Sequence, residues 1–215
     1  MLMALNSLAA VQTKPTTETA KQITQFLNYS ATHPDAITEY RKRGMVLHIY
    51  SDSSYISEPE AQSRAGGYFF LGTKSNTPIS DIILYNVSVH VECSIMRNLM
   101  VSATKAELGG LFGNCHKATF MRTALAEMGH KQPPTPVETY NTAANRIVNR
   151  TAKQKRYPAI DIIFYWGRDR IQKNHSHILW EDGMKNLADC VTKHNPICHD
   201  ISMRPRYVKA TKKYI

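Results

Sequence analysis

Acidic residues are scarce in this chain: 17 Asp and Glu stand against 27 Lys and Arg, a formal net charge of +10. That balance argues against an acidic, cation-buffering protein and favours a polyanionic partner, nucleic acid before membrane, because neutralising phosphates releases counterions. Long apolar runs are missing too. None reaches the roughly 20 residues needed to cross a bilayer, and the opening MLMALNSLAAVQ lacks the basic lead and long apolar stretch of a secretory signal. Cysteine is sparse: Cys93, Cys115, Cys190 and Cys198 are scattered through 215 residues. They read as free thiols in a reducing compartment rather than as a disulfide framework. Cys190, His194, Cys198 and His199 make no complete pair-of-pairs zinc pattern, and His175 and His177 read as ordinary strand histidines.

What is present is globular. Hydrophobic residues make up 42% and aromatics 9% of the chain, and its length requires no more than one domain with an appendage. The organising stretch is Met45 to Tyr55, MVLHIYSDSSY. Alternating and β-branched residues there end abruptly in a small polar cluster headed by Asp52, the pattern of a buried strand delivering a carboxylate to a sheet end.

Upstream, residues 1–15 show no periodicity, and TTETAKQITQFLNY reads as an amphipathic helix with Ala20, Ile23, Phe26 and Leu27 on one face. The basic tetrad Tyr40-Arg41-Lys42-Arg43 leads through Gly44 into the organising strand. Downstream, a polar loop from Ser57 to Arg64 precedes AGGYFFLG, a second strand antiparallel to the first, and Ile82 to Val91 reads as one or two more. Ser102-Ala103-Thr104 opens a long helix running to about Met128, with Leu108, Leu111, Phe112, Cys115, Ala118, Met121 and Leu125 at helical spacing. Gly109, Gly110 and Gly113 are costly inside it, so either they permit close packing or the sequence has drifted. Gly129 stops it.

After a proline-rich connector, Val137 to Asn141 reads as a strand and Thr142 to Asn149 as a short helix. The densest basic run follows, with Arg150, Lys153, Lys155 and Arg156, then a helix over Ile160 to Gln172 and a strand at HSHILW. A last helix is expected over Met184 to Thr192, ended by Pro196. The order of elements is that of an α/β domain with an antiparallel front and an alternating back.

Acids that fall at element ends or on an inward helix turn are few: Asp52, Glu107 and Asp189. A cluster of oxygen ligands of this kind is what phosphodiester hydrolysis by divalent metals needs, although each acid could equally be a solvated surface group.

Several blocks, in order, resemble the ribonuclease H region of copia-type LTR retrotransposon polyproteins, which lies C-terminal to reverse transcriptase. SDSSY is similar to the family's strand-end aspartate block and RAGGYFFLG to its "SGYVFFLG". SATKAELGGL resembles "SSTEAEYIAL", YNTAANRIVN resembles "DNQSAIxLA", and AIDIIFYWGRDRI and NLADCVTK resemble "HIDIRYHFIRE" and "QLADILTK". The resemblance implies an α/β ribonuclease H-like fold, a five-stranded mixed sheet flanked by helices. It implies residues 1–43 as lead-in and connecting helix, 44–195 as the domain, and 196–215 as a basic tail. By the same resemblance the substrate is the RNA strand of an RNA–DNA hybrid, and the cofactor is Mg²⁺ or Mn²⁺, held by Asp52, Glu107 and Asp189. An upstream reverse transcriptase is an expected partner, the expected setting is intracellular, cytoplasmic with the nucleus as the alternative, and neither a membrane nor a small-molecule cofactor is expected. The basic residues Arg41, Lys42, Arg43, Arg150, Lys153, Lys155 and Arg156 are the candidate nucleic-acid contacts.

The chain departs from the family where it matters most. Tyr140 stands where the "DN" block begins with aspartate. A tyrosine is neutral at pH 7, bulkier than aspartate and a poor Mg²⁺ ligand. Glu138, two residues earlier on the same strand face, would sit further from the strand end. Lys105 replaces an acid, Ala159 and Trp166 replace histidines, and the loop before Asp189 has no histidine. Two-metal catalysis is therefore expected to be weak or absent, and the alternative is an inactive module of the same fold that binds nucleic acid or protein.

Overall fold

The computed structural model describes residues 1–34, 36–73, 86–149, 158–183 and 186–210. Its centre is a five-stranded sheet built from β2 (Val46–Ser54), β3 (Arg64–Gly72), β4 (Ser88–Ile95), β5 (Thr135–Thr139) and β6 (Ser176–Trp180), in the order β4-β3-β2-β5-β6. A separate pair, β1 (Ala36–Ile37) with β7 (Lys209–Ala210), is antiparallel. Strands β2, β3 and β4 are mutually antiparallel, whereas β5 and β6 run parallel to β2. That arrangement, with helices on the sheet, is the α/β ribonuclease H-like fold.

Every residue of β2 is buried, because the strand is central and both of its faces are covered. One face packs Leu47, Ile49, Phe69, Val137 and Ile178 against α3 (Ala103–Glu127), through Leu108, Leu111, Cys115, Ala118 and Leu125. Ser102 caps α3 by accepting the Lys105 N–H, and Gly129 ends it in the left-handed region at φ +89°. The alternative posed by its glycines resolves differently at Gly110 and at Gly113. A Cβ at Gly110 would overlap Ser53 Oγ, so that glycine lets α3 lie close on β2. Nothing lies within 4 Å of a Cβ at Gly113, which has no packing role.

The opposite face buries Tyr50, Tyr68 and Phe70 under Leu187, Ala188 and Met203. Here the structure departs from the sequence reading. The helix expected over Met184 to Thr192 is a set of turns ending in a single 3-10 turn, Asp189–Val191, and residues 184–185 lie outside the described residues. Asn186 explains the difference: its Nδ2 donates to Ser51 O (3.0 Å) and its Oδ1 accepts the Ala188 N–H (2.9 Å). These bonds tie the segment flat to β2 and compete with helix. Beyond Pro196, within residues read as a tail, α6 (Ile197–Tyr207) sends Met203 into this second core, and the Tyr207 hydroxyl bonds Leu187 O.

Near the chain start, α1 (Leu2–Ala10) forms where no periodicity shows, and α2 (Thr17–Ala31) follows behind a Thr16–Thr19 capping box. The anchor for α1 is Arg64, fully buried. Its guanidinium donates to Glu58 Oε1 (2.7 Å), Asn6 Oδ1 (2.6 Å) and Ser7 Oγ (3.3 Å). The final strand of the antiparallel front, β4, runs four residues past Val91 to Ile95, while residues 82–85 of the expected stretch lie outside the described residues. The remaining helices, α4 (Thr142–Val148) and α5 (Pro158–Gln172), fall close to their expected positions. Among the described residues no helix is long and apolar enough to cross a membrane.

Candidate active site

Parallel pairing of β2 with β5, in the register Tyr50 opposite Glu138, brings the ends of both strands to one edge of the sheet. Asp52 sits at that end of β2, Tyr140 directly follows β5, and Glu107 projects from the second turn of α3. The turns after β6 bring Asp189 and Lys193 across the same end. The structure thus brings together the three acids singled out in the sequence, with Tyr140 among them.

Asp52 is completely buried and Glu107 only 3% exposed. The Thr192 hydroxyl donates to Asp52 Oδ2, while Asp52 Oδ1 and Glu107 Oε2 have no hydrogen-bond partner among the described residues. Burial pushes both carboxyls up. Glu107 reaches about 8, through desolvation first and the neighbouring Asp52 charge second. Asp52 is raised by desolvation against the opposing pull of Lys193 and Thr192. The Tyr140 hydroxyl faces both acids, and burial followed by their charges raises its pKa, so at neutral pH it stays a neutral phenol.

Lys193 was not singled out in the sequence, although it lies four residues after Asp189 within NLADCVTK. Its Nζ donates to Asp189 Oδ1 and to the Tyr140 hydroxyl (3.0 Å), lies 3.5 Å from Asp52 Oδ2, and sits 4.5 Å from the centre of the Tyr140 ring. Burial alone would lower its pKa, but Asp52, Asp189 and Tyr140 more than offset this and raise it. Asp189 Oδ2 accepts from Asn195 Nδ2 (3.0 Å), with His199 Nε2 at 3.8 Å. A cleft of about 500 Å³ opens here, lined by Tyr140, Asp182, Gly183, Asp189, Lys193 and His199 among others. Asp52 and Glu107 do not line it; Tyr140 and Lys193 stand beside it, against them.

This arrangement does not fit a pair of divalent ions. The ammonium of Lys193 contacts two of the three acids, both Asp189 oxygens are engaged by the chain's own donors, and Tyr140 offers only a neutral oxygen beside them. Among the described residues no group of three or more His, Cys, Asp or Glu side chains is placed to hold a metal.

Glu138 is buried two residues deeper, beside Glu181 and Tyr50, and is not part of the acid cluster. Its carboxyl is pushed up to about 9 by burial and by the Glu181 carboxyl next to it. Trp180, 54% exposed at the end of β6, donates its indole N–H to Tyr140 O (2.8 Å) and holds the backbone at that position.

The basic tetrad lies elsewhere. Arg41, Lys42 and Arg43 precede β2, whose seven residues from Val46 to Asp52 span about 20 Å, so they sit towards the opposite sheet end from the acids. Arg41 is exposed and ion-paired with Glu39 (3.6 Å). Arg150, Lys153, Lys155 and Arg156 lie outside the described residues.

No protein-family model matches the chain, and no curated protein matches it. Among solved structures, the chain is similar to the LC11 ribonuclease H1 isolated from compost, with a TM-score of 0.49 and 14% identity over 68% of this chain and 92% of that one. It is also similar to the N-terminal ribonuclease H domain of a Mycobacterium tuberculosis protein, solved as a maltose-binding-protein fusion (TM-score 0.47, 10% identity, 68% and 95% covered). A third is the foamy viral protease-reverse transcriptase in complex with dsDNA (TM-score 0.42, 18% identity, 73% and 96% covered). By its own strand order and helix placement, the chain is a ribonuclease H-like α/β domain.

Proposed function

We propose that this chain is a ribonuclease H-like domain of copia-type retroelement origin that engages RNA–DNA hybrid, with hydrolysis of the RNA strand impaired. The ordered sequence blocks support the origin, and the charge of +10 supports a nucleic-acid partner. An upstream reverse transcriptase domain and a cytoplasmic setting belong to the same reading. The observation that carries the impairment is the Tyr140 hydroxyl facing Asp52 and Glu107. An aspartate there would add negative charge and open space; the phenol adds neither. A second reading, a module that binds without any cleavage, is favoured by the burial of Asp52 and Glu107 beside Tyr140 and Lys193.

Both readings are tested by incubating labelled RNA–DNA hybrid with the purified chain in Mg²⁺ and in Mn²⁺, beside Asp52→Asn and Tyr140→Asp. Weak cleavage by the native chain that vanishes in Asp52→Asn supports the impaired enzyme. Cleavage seen only in Tyr140→Asp supports the binding module. No binding of hybrid at low salt would sink both.

A further inference from the structure

The acid cluster contains its own cation. We infer that Lys193 is the resident counter-ion of this site, its ammonium balancing Asp52 and Asp189, and that the folded chain consequently takes up no divalent metal there.

A lysine–aspartate pair on a protein surface would carry little meaning, since exposed pairs are loosely held. This pair is different because Asp52 is fully buried and an isolated buried carboxylate is strongly disfavoured. The side chain of Lys193 is 36% exposed, yet its Nζ is held from several sides. Asp189 Oδ1 and the Tyr140 hydroxyl accept from it, Asp52 Oδ2 lies at 3.5 Å, and the Tyr140 ring faces it at 4.5 Å. An ammonium has three N–H donors, so these contacts use its capacity. Tyr140 thereby has a second effect: besides supplying no charge, it supplies an oxygen and a ring face that suit an ammonium better than a hard divalent ion.

Most of the carboxylate oxygens of the two aspartates are already engaged by the chain's own donors. Asp52 Oδ2 is taken by Thr192, and Asp189 Oδ2 by Asn195 with His199 close by. Among the buried oxygens of this cluster, Asp52 Oδ1 and Glu107 Oε2 are without hydrogen-bond partners among the described residues. Mg²⁺ requires near-octahedral oxygen coordination and gives up its water reluctantly. Buried carboxylates beside a fixed ammonium suit neither the waters that Mg²⁺ keeps nor a second positive charge.

The test uses the full chain and needs no nucleic acid, so its failure is distinguishable from failure of the proposed function. Mn²⁺ uptake is followed by electron paramagnetic resonance and by the shift in thermal midpoint on adding millimolar Mn²⁺ or Mg²⁺. The native chain and Lys193→Arg are expected to show no saturable uptake and no shift. Lys193→Met is expected to gain both, with a rise of several degrees that disappears when Asp52→Asn is added. Saturable uptake by the native chain that Asp52→Asn abolishes would overturn the inference, as would a folded Lys193→Met that still takes up no Mn²⁺. Should Lys193→Met fail to fold, the native chain and Lys193→Arg decide: uptake by either overturns the inference, and its absence in both supports it.

Discussion

The ε-ammonium of Lys193 donates to the Tyr140 hydroxyl at 3.0 Å while lying 4.5 Å from the centre of the same ring. One side chain thus contributes an acceptor and a π face to one cation. Removing the oxygen alone separates the two. Tyr140→Phe keeps the ring and should lower unfolding free energy by about 1 kcal/mol, the usual net worth of one hydrogen bond. Urea denaturation of the two proteins side by side measures it, and an unchanged midpoint would show that the hydroxyl contributes nothing.

A carboxyl pKa raised by burial makes stability depend on pH with a defined sign. Glu138 is pushed up to about 9 by burial and by Glu181, and Glu107 up to about 8 by burial and by Asp52. Above the ordinary glutamate value of 4.5 the unfolded chain releases these protons while the folded chain keeps them. The folded state binds more protons throughout that window, so stability falls as pH rises from about 5 towards the raised values. Chemical denaturation from pH 5 to 9 should show this decline. In Glu138→Gln, which removes one titrating carboxyl at constant shape, the slope should be shallower and the protein more stable than the native chain at pH 8.

Arg64 joins the N-terminal helix to the sheet by donating to Asn6 and Ser7, while its charge is paired with Glu58. With its side chain fully buried and Glu58 only 8% exposed, truncation leaves a nearly buried carboxylate without its partner. Arg64→Ala is expected to cost about 3–5 kcal/mol. It should also release α1, seen as faster proteolysis within residues 1–15 under native conditions. Equal proteolysis rates in the two proteins would rule out this anchoring role.

Two glycines in one helix should respond in opposite ways. Gly113→Ala meets open space and removes a flexible residue from a helix interior, so it should stabilise by about 0.5–1 kcal/mol. Gly110→Ala drives a methyl group into Ser53 Oγ and the β2 backbone behind it, and should destabilise by about 1–3 kcal/mol. Thermal unfolding of both variants tests the pair, and the same sign for both would contradict the packing described for α3.

Local chemistry explains which parts of this architecture were legible. MVLHIYSDSSY alternates and ends in small polar residues, and it forms β2 with Asp52 near its end. The Ser102 cap, the apolar spacing of α3 and the Gly129 stop are all short-range signals, and the helix follows them. Each of these is decided within a few residues of itself. The N-terminal helix is not, because it is held by Arg64, more than fifty residues away in the chain. Nor is the segment after β6: its helical spacing is overridden by Asn186 bonding to Ser51 O and by Leu187 and Ala188 packing on Tyr50 and Phe70. Likewise α6 follows a proline that reads as a stop, and it is held there by the burial of Met203.

By itself, then, the sequence determined the strand and helix identities at the centre of the domain, the three acids, and the substitution at Tyr140, because residue type and spacing act locally. Only the tertiary structure decided that Lys193 stands among those acids. Its position depends on β2, β5 and the turns after β6 meeting at one sheet end, so that Asp52, Tyr140 and Asp189 face a single ammonium. No spacing along the chain encodes that meeting; it is set by the parallel register of β5 on β2 and by the burial that pins the last turns to the sheet.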